Sequence, residues 1–145
     1  MKLFTVLCSL FLLSCTSTEK KEVSNKTDKK FVPDMDVASG MTLLMRSMYD
    51  VHEGIKKDIQ AGNTPSDFPK EFLKIFTAKL TDDKPYNDTF KAFSKVYIDN
   101  ERAIFDAESG IPLKNRYNNA INTCISCHTT ECVGPIPRIE KLLIN

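Results

Sequence analysis

The stretch Cys124-Ile125-Ser126-Cys127-His128 places two thiols three residues apart with a histidine directly after the second. This is the spacing by which a c-type haem is attached. On a helix, positions i and i+3 share a face, so Cys124 and Cys127 can reach the two vinyl groups of one porphyrin and close two thioether bonds. His128 stands one turn beyond Cys124, where an imidazole nitrogen can bind haem iron axially. Two other readings compete. A thioredoxin-like pair normally sits beside a strand-helix pattern, whereas the residues before Cys124 read as helix. A Cys3His zinc site would use Cys124, Cys127, His128 and Cys132. Adjacent helical residues point about 100° apart, so Cys127 and His128 could serve one tetrahedral ion only if the helix broke between them. The expected cofactor is haem c with its iron.

A chain of 145 residues is one domain on length and can build a core without disulfide staples. Its 5 cysteines are too few and too unevenly placed for a disulfide framework: Cys8 and Cys15 fall in the leader, two form the motif, and Cys132 is left as an odd thiol. Lys plus Arg number 20 against 19 Asp plus Glu, a balance that argues against nucleic acid as a partner. Two haem propionates would tip the mature protein slightly acidic.

At the N-terminus, Lys2 precedes an apolar run over residues 3–13. The run is too short to span a membrane and has the layout of a secretory signal. It ends Leu12-Leu13-Ser14-Cys15, which resembles the bacterial lipobox, with Cys15 as the lipidated first residue of the mature chain. The plainer alternative is an ordinary cleaved signal. Both readings take the chain out of the cytoplasm, where haem attachment to Cys-x-x-Cys-His is also expected. The organisation expected is a signal peptide with lipobox over residues 1–15, a disordered tether over 16–34, a helical domain over 35–130 and a C-terminal extension over 131–145. Residues 16–30 carry Val23 as their only large aliphatic side chain, too little to fold on. On a lipidated Cys15 they would let the domain turn toward partners near a bacterial membrane, on its periplasmic face.

Four helices are expected. The first is capped at Pro33-Asp34 or Ser39, runs to Ala61 and stops at Gly62-Asn63. Its apolar positions, Val37, Met41, Leu44, Met45, Met48, Val51, Ile55 and Ile59, fall three and four apart. A second starts at Pro69, with Phe72, Leu73, Ile75, Phe76 and Leu80 as its apolar face, and residues 81–85 turn. A third, over residues 87–108, carries Phe90, Phe93, Tyr97, Ile104 and Phe105 inward and ends at Ser109-Gly110. The fourth begins at Pro112 and enters the motif with Leu113, Tyr117, Ala120, Ile121 and Cys124 on one side. With no period-two stretch or repeat, this reads as an all-α antiparallel four-helix bundle, with haem near its C-terminal helix.

An exported four-helix chain of this size, with Cys-x-x-Cys-His in its last helix, resembles the class II cytochromes c, the cytochrome c prime family, over about residues 35–130. The resemblance implies haem inside the bundle with a first-helix residue facing the iron opposite the histidine. A methionine there gives a six-coordinate, low-spin electron carrier; an apolar residue gives a five-coordinate site that binds gases such as NO or CO. Leu44-Met45-Arg46 looks like the Met-plus-basic segment of the methionine-ligated members. The chain departs from the family after the motif. Thr129-Thr130-Glu131 stands where a basic residue is usual, and residues 131–145 form an extension whose short amphipathic stretch could cover the haem edge or a bundle end. Arg138 is the substitute for a propionate contact.

Methionines on a helical stripe are ordinarily core filler, but an interior iron needs a first-helix neighbour. Met45 is the expected ligand, with Met41 and Met48 as alternatives. His52 lies about 10 Å along the axis from Met45 and reads as a surface or boundary histidine. No distal histidine and arginine pair is present to cleave a peroxide, so an enzyme is not expected. The function expected is electron transport with redox partner proteins by a lipid-anchored cytochrome; a gas-binding haem protein is the alternative. Whether two bundles pair as a homodimer is left open. If Cys15 carries lipid, Cys15→Ala releases the protein from the membrane fraction or stalls its processing with haem unaffected; a wild-type protein fully soluble after export overturns the anchor.

Overall fold

The computed structural model describes residues 38–81 and 84–145. They lie in one compact unit, Asp36–Asn145. The signal, Cys8, Cys15, the tether and Val37 lie outside the described residues, as does part of the turn expected at 81–85. Among the described residues every regular element is helical and no strand occurs. No described helix is long and apolar enough to cross a membrane.

Helix α1, Gly40–Gln60, is capped by Ser39, whose Oγ accepts from Thr42 N at 3.1 Å. It ends in a Schellman arrangement. Asn63 N donates to Asp58 O at 2.9 Å and Gly62 N to Ile59 O at 3.1 Å, with Gly62 at φ 81°, a conformation glycine adopts without a Cβ penalty. Met41, Leu44, Met48, His52 and Ile55 are the buried residues of this helix. His52 is thus no surface or boundary residue: at 1 % exposure it continues the apolar stripe, one turn beyond Met48.

The expected second helix is a seven-residue 3-10 helix, Lys70–Phe76, entered through Pro69. The change of period explains its faces. At three residues per turn, positions i and i+3 eclipse, so Phe72 and Ile75 stack inward while Leu73 and Phe76 stack on the exposed side. An α-helical reading wrongly put all four on one face.

Helix α2, Asp88–Ile104, is capped by Asn87, whose Oδ1 accepts from Phe90 N at 2.6 Å. It buries Phe90, Tyr97 and Ile104 as expected, leaves Phe93 and Phe105 half-buried, and stops short of the expected end. The buried Arg116 accounts for that end. Its Nη1 donates to the carbonyls of Ala103, Ile104 and Asp106 at 2.7, 3.1 and 2.6 Å, satisfying the acceptors a helix terminus leaves open. Helix α3, Leu113–Glu131, contains the whole motif without a break.

The core has two parts. In the first, Met41, Leu44, Met48, Phe72, Ile75, Phe90, Tyr97 and Ile98 join α1, the 3-10 helix and α2. In the second, Ile55, Ile104, Tyr117, Ala120 and Ile121 meet Ile139, Leu142 and Ile144 of the C-terminal segment. That segment forms α4, Ile136–Ile139, and a 3-10 turn, Glu140–Leu142. Lys56 Nζ holds it by donating to the carbonyls of Lys141 and Leu143, both at 2.8 Å, and Asn118 bonds both backbone groups of Ile144. The C-terminal segment thus closes the second core.

Phe72 is fully buried and links the 3-10 helix to α1 and α2. Phe72→Ala is expected to destabilise by about 3–5 kcal/mol, read as a lowered midpoint of chemical unfolding, whereas Phe76→Ala on the exposed face changes it by well under half of that.

Candidate functional site

Helix α3 brings the motif to the edge of the first core. Cys124 packs against both apolar clusters and Cys127 against the first. One turn carries the chain to a cavity of about 290 Å³, lined by Cys127, His128, Glu131 and Cys132 from α3 and its end. The other lining residues are Met45 of α1, Leu80, Thr81, Lys84 and Pro85 of the connecting segment, Asn87, which caps α2, and Phe90 of α2. Three of the residues singled out in sequence, Met45, Cys127 and His128, therefore meet at one cavity. Cys124 lies one turn back between the two cores. Met41 and Met48 are buried in the first core and do not line the cavity.

The histidine is oriented by its own helix end. His128 Nδ1 lies 2.8 Å from Cys132 O. A carbonyl can only accept, so Nδ1 carries the hydrogen and Nε2 keeps its lone pair. This is the arrangement in which a metal-binding imidazole is fixed in tautomer and made more basic. Cys132 thus contributes its carbonyl; its exposed thiol is unpaired.

Both motif cysteines are free thiols. Burial, and then the charge of Glu101, pushes the Cys124 thiol far up. Burial, and then Glu131, pushes Cys127 up to about 11. A redox-active pair has its thiolate stabilised, commonly at a helix N-terminus; these thiols lie deep in a helix, in a fold without strands among the described residues. The thioredoxin-like reading fails on both counts. The zinc reading needed a break between Cys127 and His128. The helix runs through both.

The residues fit a covalently held haem in the chemistry of their donors. Two thiols stand at i and i+3, an imidazole nitrogen is free and oriented, a thioether lines the same cavity, and Leu80, Pro85 and Phe90 supply apolar surface. Lys84 is the cation on the wall. Arg138, expected to serve a propionate, is engaged elsewhere: its guanidinium lies 3.9 Å over the Tyr49 ring and 3.7 Å from Asp50.

Sequence reasoning passed over Lys84, Asn87 and Glu131. Asn87 Nδ2 donates to both Glu131 oxygens, at 3.0 and 3.2 Å, and so ties the start of α2 to the end of α3 at the cavity rim. A capping asparagine was legible before Phe90; its second bond was not. Compared with protein families, curated proteins and solved structures, the chain matches none.

In chain produced without cofactor, alkylation at neutral pH is expected to modify exposed Cys132 first. Cys127 follows slowly, its rate rising about tenfold per pH unit toward about 11 as thiolate forms. Mass spectrometry of the labelled peptides reads the order.

Proposed function

We propose that the protein is a c-type cytochrome that carries electrons outside the cytoplasm, tethered to a membrane through lipid on Cys15. The observation that carries this reading is the meeting of Met45, Cys127 and His128 at one cavity. Cys124 and Cys127 would hold a haem as thioethers, with His128 Nε2 and the Met45 sulfur as the protein atoms offered to its iron. A bound haem would supply a one-electron couple, whose potential a methionine ligand would raise. The apolar wall of Leu80, Pro85 and Phe90 limits water, and Lys84 offers a positive charge to a propionate. In this reading the 3-10 helix stands in the place of the second bundle helix of the cytochrome c prime family. Two thioether bonds and a methionine ligand would suit a carrier that converts no substrate.

The test is spectroscopic. After denaturation the haem stays on the chain, because thioethers survive loss of the fold; complete extraction by acid-acetone overturns the assignment. The native oxidised protein is expected to be low-spin with the weak charge-transfer band of an iron-methionine bond, and its reduced form to bind little carbon monoxide. Met45→Leu removes the band and admits the gas. Met41→Leu and Met48→Leu keep it at a packing cost below about 1.5 kcal/mol. A wild type that is high-spin and binds the gas readily is the five-coordinate alternative instead.

A further inference from the structure

Positions i and i+3 eclipse in a 3-10 helix, so the segment Lys70–Phe76 has three ridges. Phe72 and Ile75 form the buried one. Glu71 and Lys74 form the second and, with Leu43, Leu44 and Ser47 of α1, line a groove of about 470 Å³. Leu73 and Phe76 form the third, on the exposed side. The ridge that shares the groove with α1 is the one nearer α1. The charged pair therefore runs between two apolar strips, Leu43 on one side and Leu73 with Phe76 on the other.

Leu43, Leu73 and Phe76 are 55, 37 and 45 % exposed. The other large apolar side chains exposed among the described residues, Val96, Ile111 and Val133, stand singly on separate parts of the chain and need no partner to explain them. Three gathered about one groove make the kind of surface that marks an interaction site. Glu71 and Lys74 are exposed as well. Among the described residues neither side chain is engaged in an ion pair or a hydrogen bond.

We propose that this face docks a second copy of the chain about a two-fold axis that crosses the 3-10 helix midway between Glu71 and Lys74. The order of the two charges selects both the occupant and its direction. They stand about 6 Å apart along the helix, three residues at about 2 Å each, and such a pair complements itself only when reversed. The two-fold sets Glu71 against the partner's Lys74 and Lys74 against the partner's Glu71, an isologous contact. An axis along the helix would instead stack each charge on its like. The same rotation keeps each apolar strip on its own side, so that the Leu43 strip meets the partner's Leu43 strip and the Leu73–Phe76 ridge meets its own reversed counterpart. Burial of these strips supplies the driving force, while the exposed charges contribute direction and register more than affinity.

A partner presenting one sign of charge would gain from one of Glu71 and Lys74 and be repelled by the other, whereas a second copy satisfies both. Lys70, exposed on the Leu73–Phe76 ridge, comes level with the partner's Phe76, whose ring face accepts a cation. The groove shares no lining residue with the cavity of Met45, Cys127 and His128. Pairing therefore engages side chains that the cytochrome reading leaves idle, and it holds with or without a bound haem.

The experiment is sedimentation velocity of the full chain over a dilution series, in density-matched detergent where lipid is attached, with circular dichroism of each variant to show that it is folded. Wild type is expected to sediment as a dimer that dissociates on dilution. Leu43→Asp and Phe76→Asp, both at exposed positions, sediment as folded monomers. Glu71→Lys and Lys74→Glu each set like charges against each other and raise the dissociation constant about tenfold or more. The double variant, Glu71→Lys with Lys74→Glu, reverses both charges and restores the dimer. A wild type that is monomeric throughout, a dimer indifferent to Phe76→Asp, or single reversals that the double variant does not rescue overturns the proposal and leaves the cytochrome reading untouched. A chain without covalent haem that pairs in this way supports the proposal while overturning that reading.

Discussion

An unbroken helix from Leu113 to Glu131 is the constraint on which the site depends. Helical geometry puts Cys124 and Cys127 on one face and turns His128 about 100° away from Cys127. In the proposed cytochrome the thiols would meet a flat cofactor at its periphery and the imidazole would meet it at its centre. The same geometry denies a tetrahedral ion its ligand set. At the end of this helix Cys132 is extended, and its carbonyl is brought to His128 Nδ1. Helix termination and the orientation of the imidazole are one local event.

Two cores hold the helix in place, one on each side of Cys124. The first is closed by the 3-10 helix, the second by the C-terminal segment. Each of these short elements could not fold alone, since so few residues cannot offset their own ordering entropy. Each is fixed by a few buried side chains, Phe72 and Ile75 in one case, Ile139 and Leu142 in the other, and the C-terminal segment additionally by Lys56 and Asn118. The site thus depends on elements remote from it in sequence.

The three long helices were legible because their apolar residues recur three and four apart and the end signals read for them, Ser39, Gly62 and Pro112, are residues with a known mechanism. The 3-10 helix was not, since a run such as Phe72-Leu73-Lys74-Ile75-Phe76 fits either period until its neighbours choose. Lys84 gave no signal at all, being one lysine in a polar connection. His52, read as a surface or boundary residue, is a different failure, and Glu101 was passed over. Met41, Leu44, Met48, His52 and Ile55 form one unbroken stripe, and so do Phe90, Ser94, Tyr97, Glu101 and Ile104. Residue type argued for the surface and position argued for the core; position was right. A polar residue in register with an apolar stripe is itself a signal, and a histidine and a carboxylate doing so on two helices predict each other's company, because neither can be buried unpaired.

Asn87 is where fold and site are hardest to separate. Its Oδ1 caps α2 while its Nδ2 holds Glu131, and both residues line the cavity. Glu131 is the last residue of α3, and Cys132, whose carbonyl orients His128, follows it directly. A side chain that satisfies an open helix donor contributes about 1 kcal/mol locally. Here the same side chain also fixes the end of the helix that presents the imidazole. Loss of the amide hydrogens alone, as in Asn87→Asp, keeps the cap and sets two carboxylates against each other. That change separates the two roles, because the helix start is retained while the support behind the Cys132 carbonyl is withdrawn.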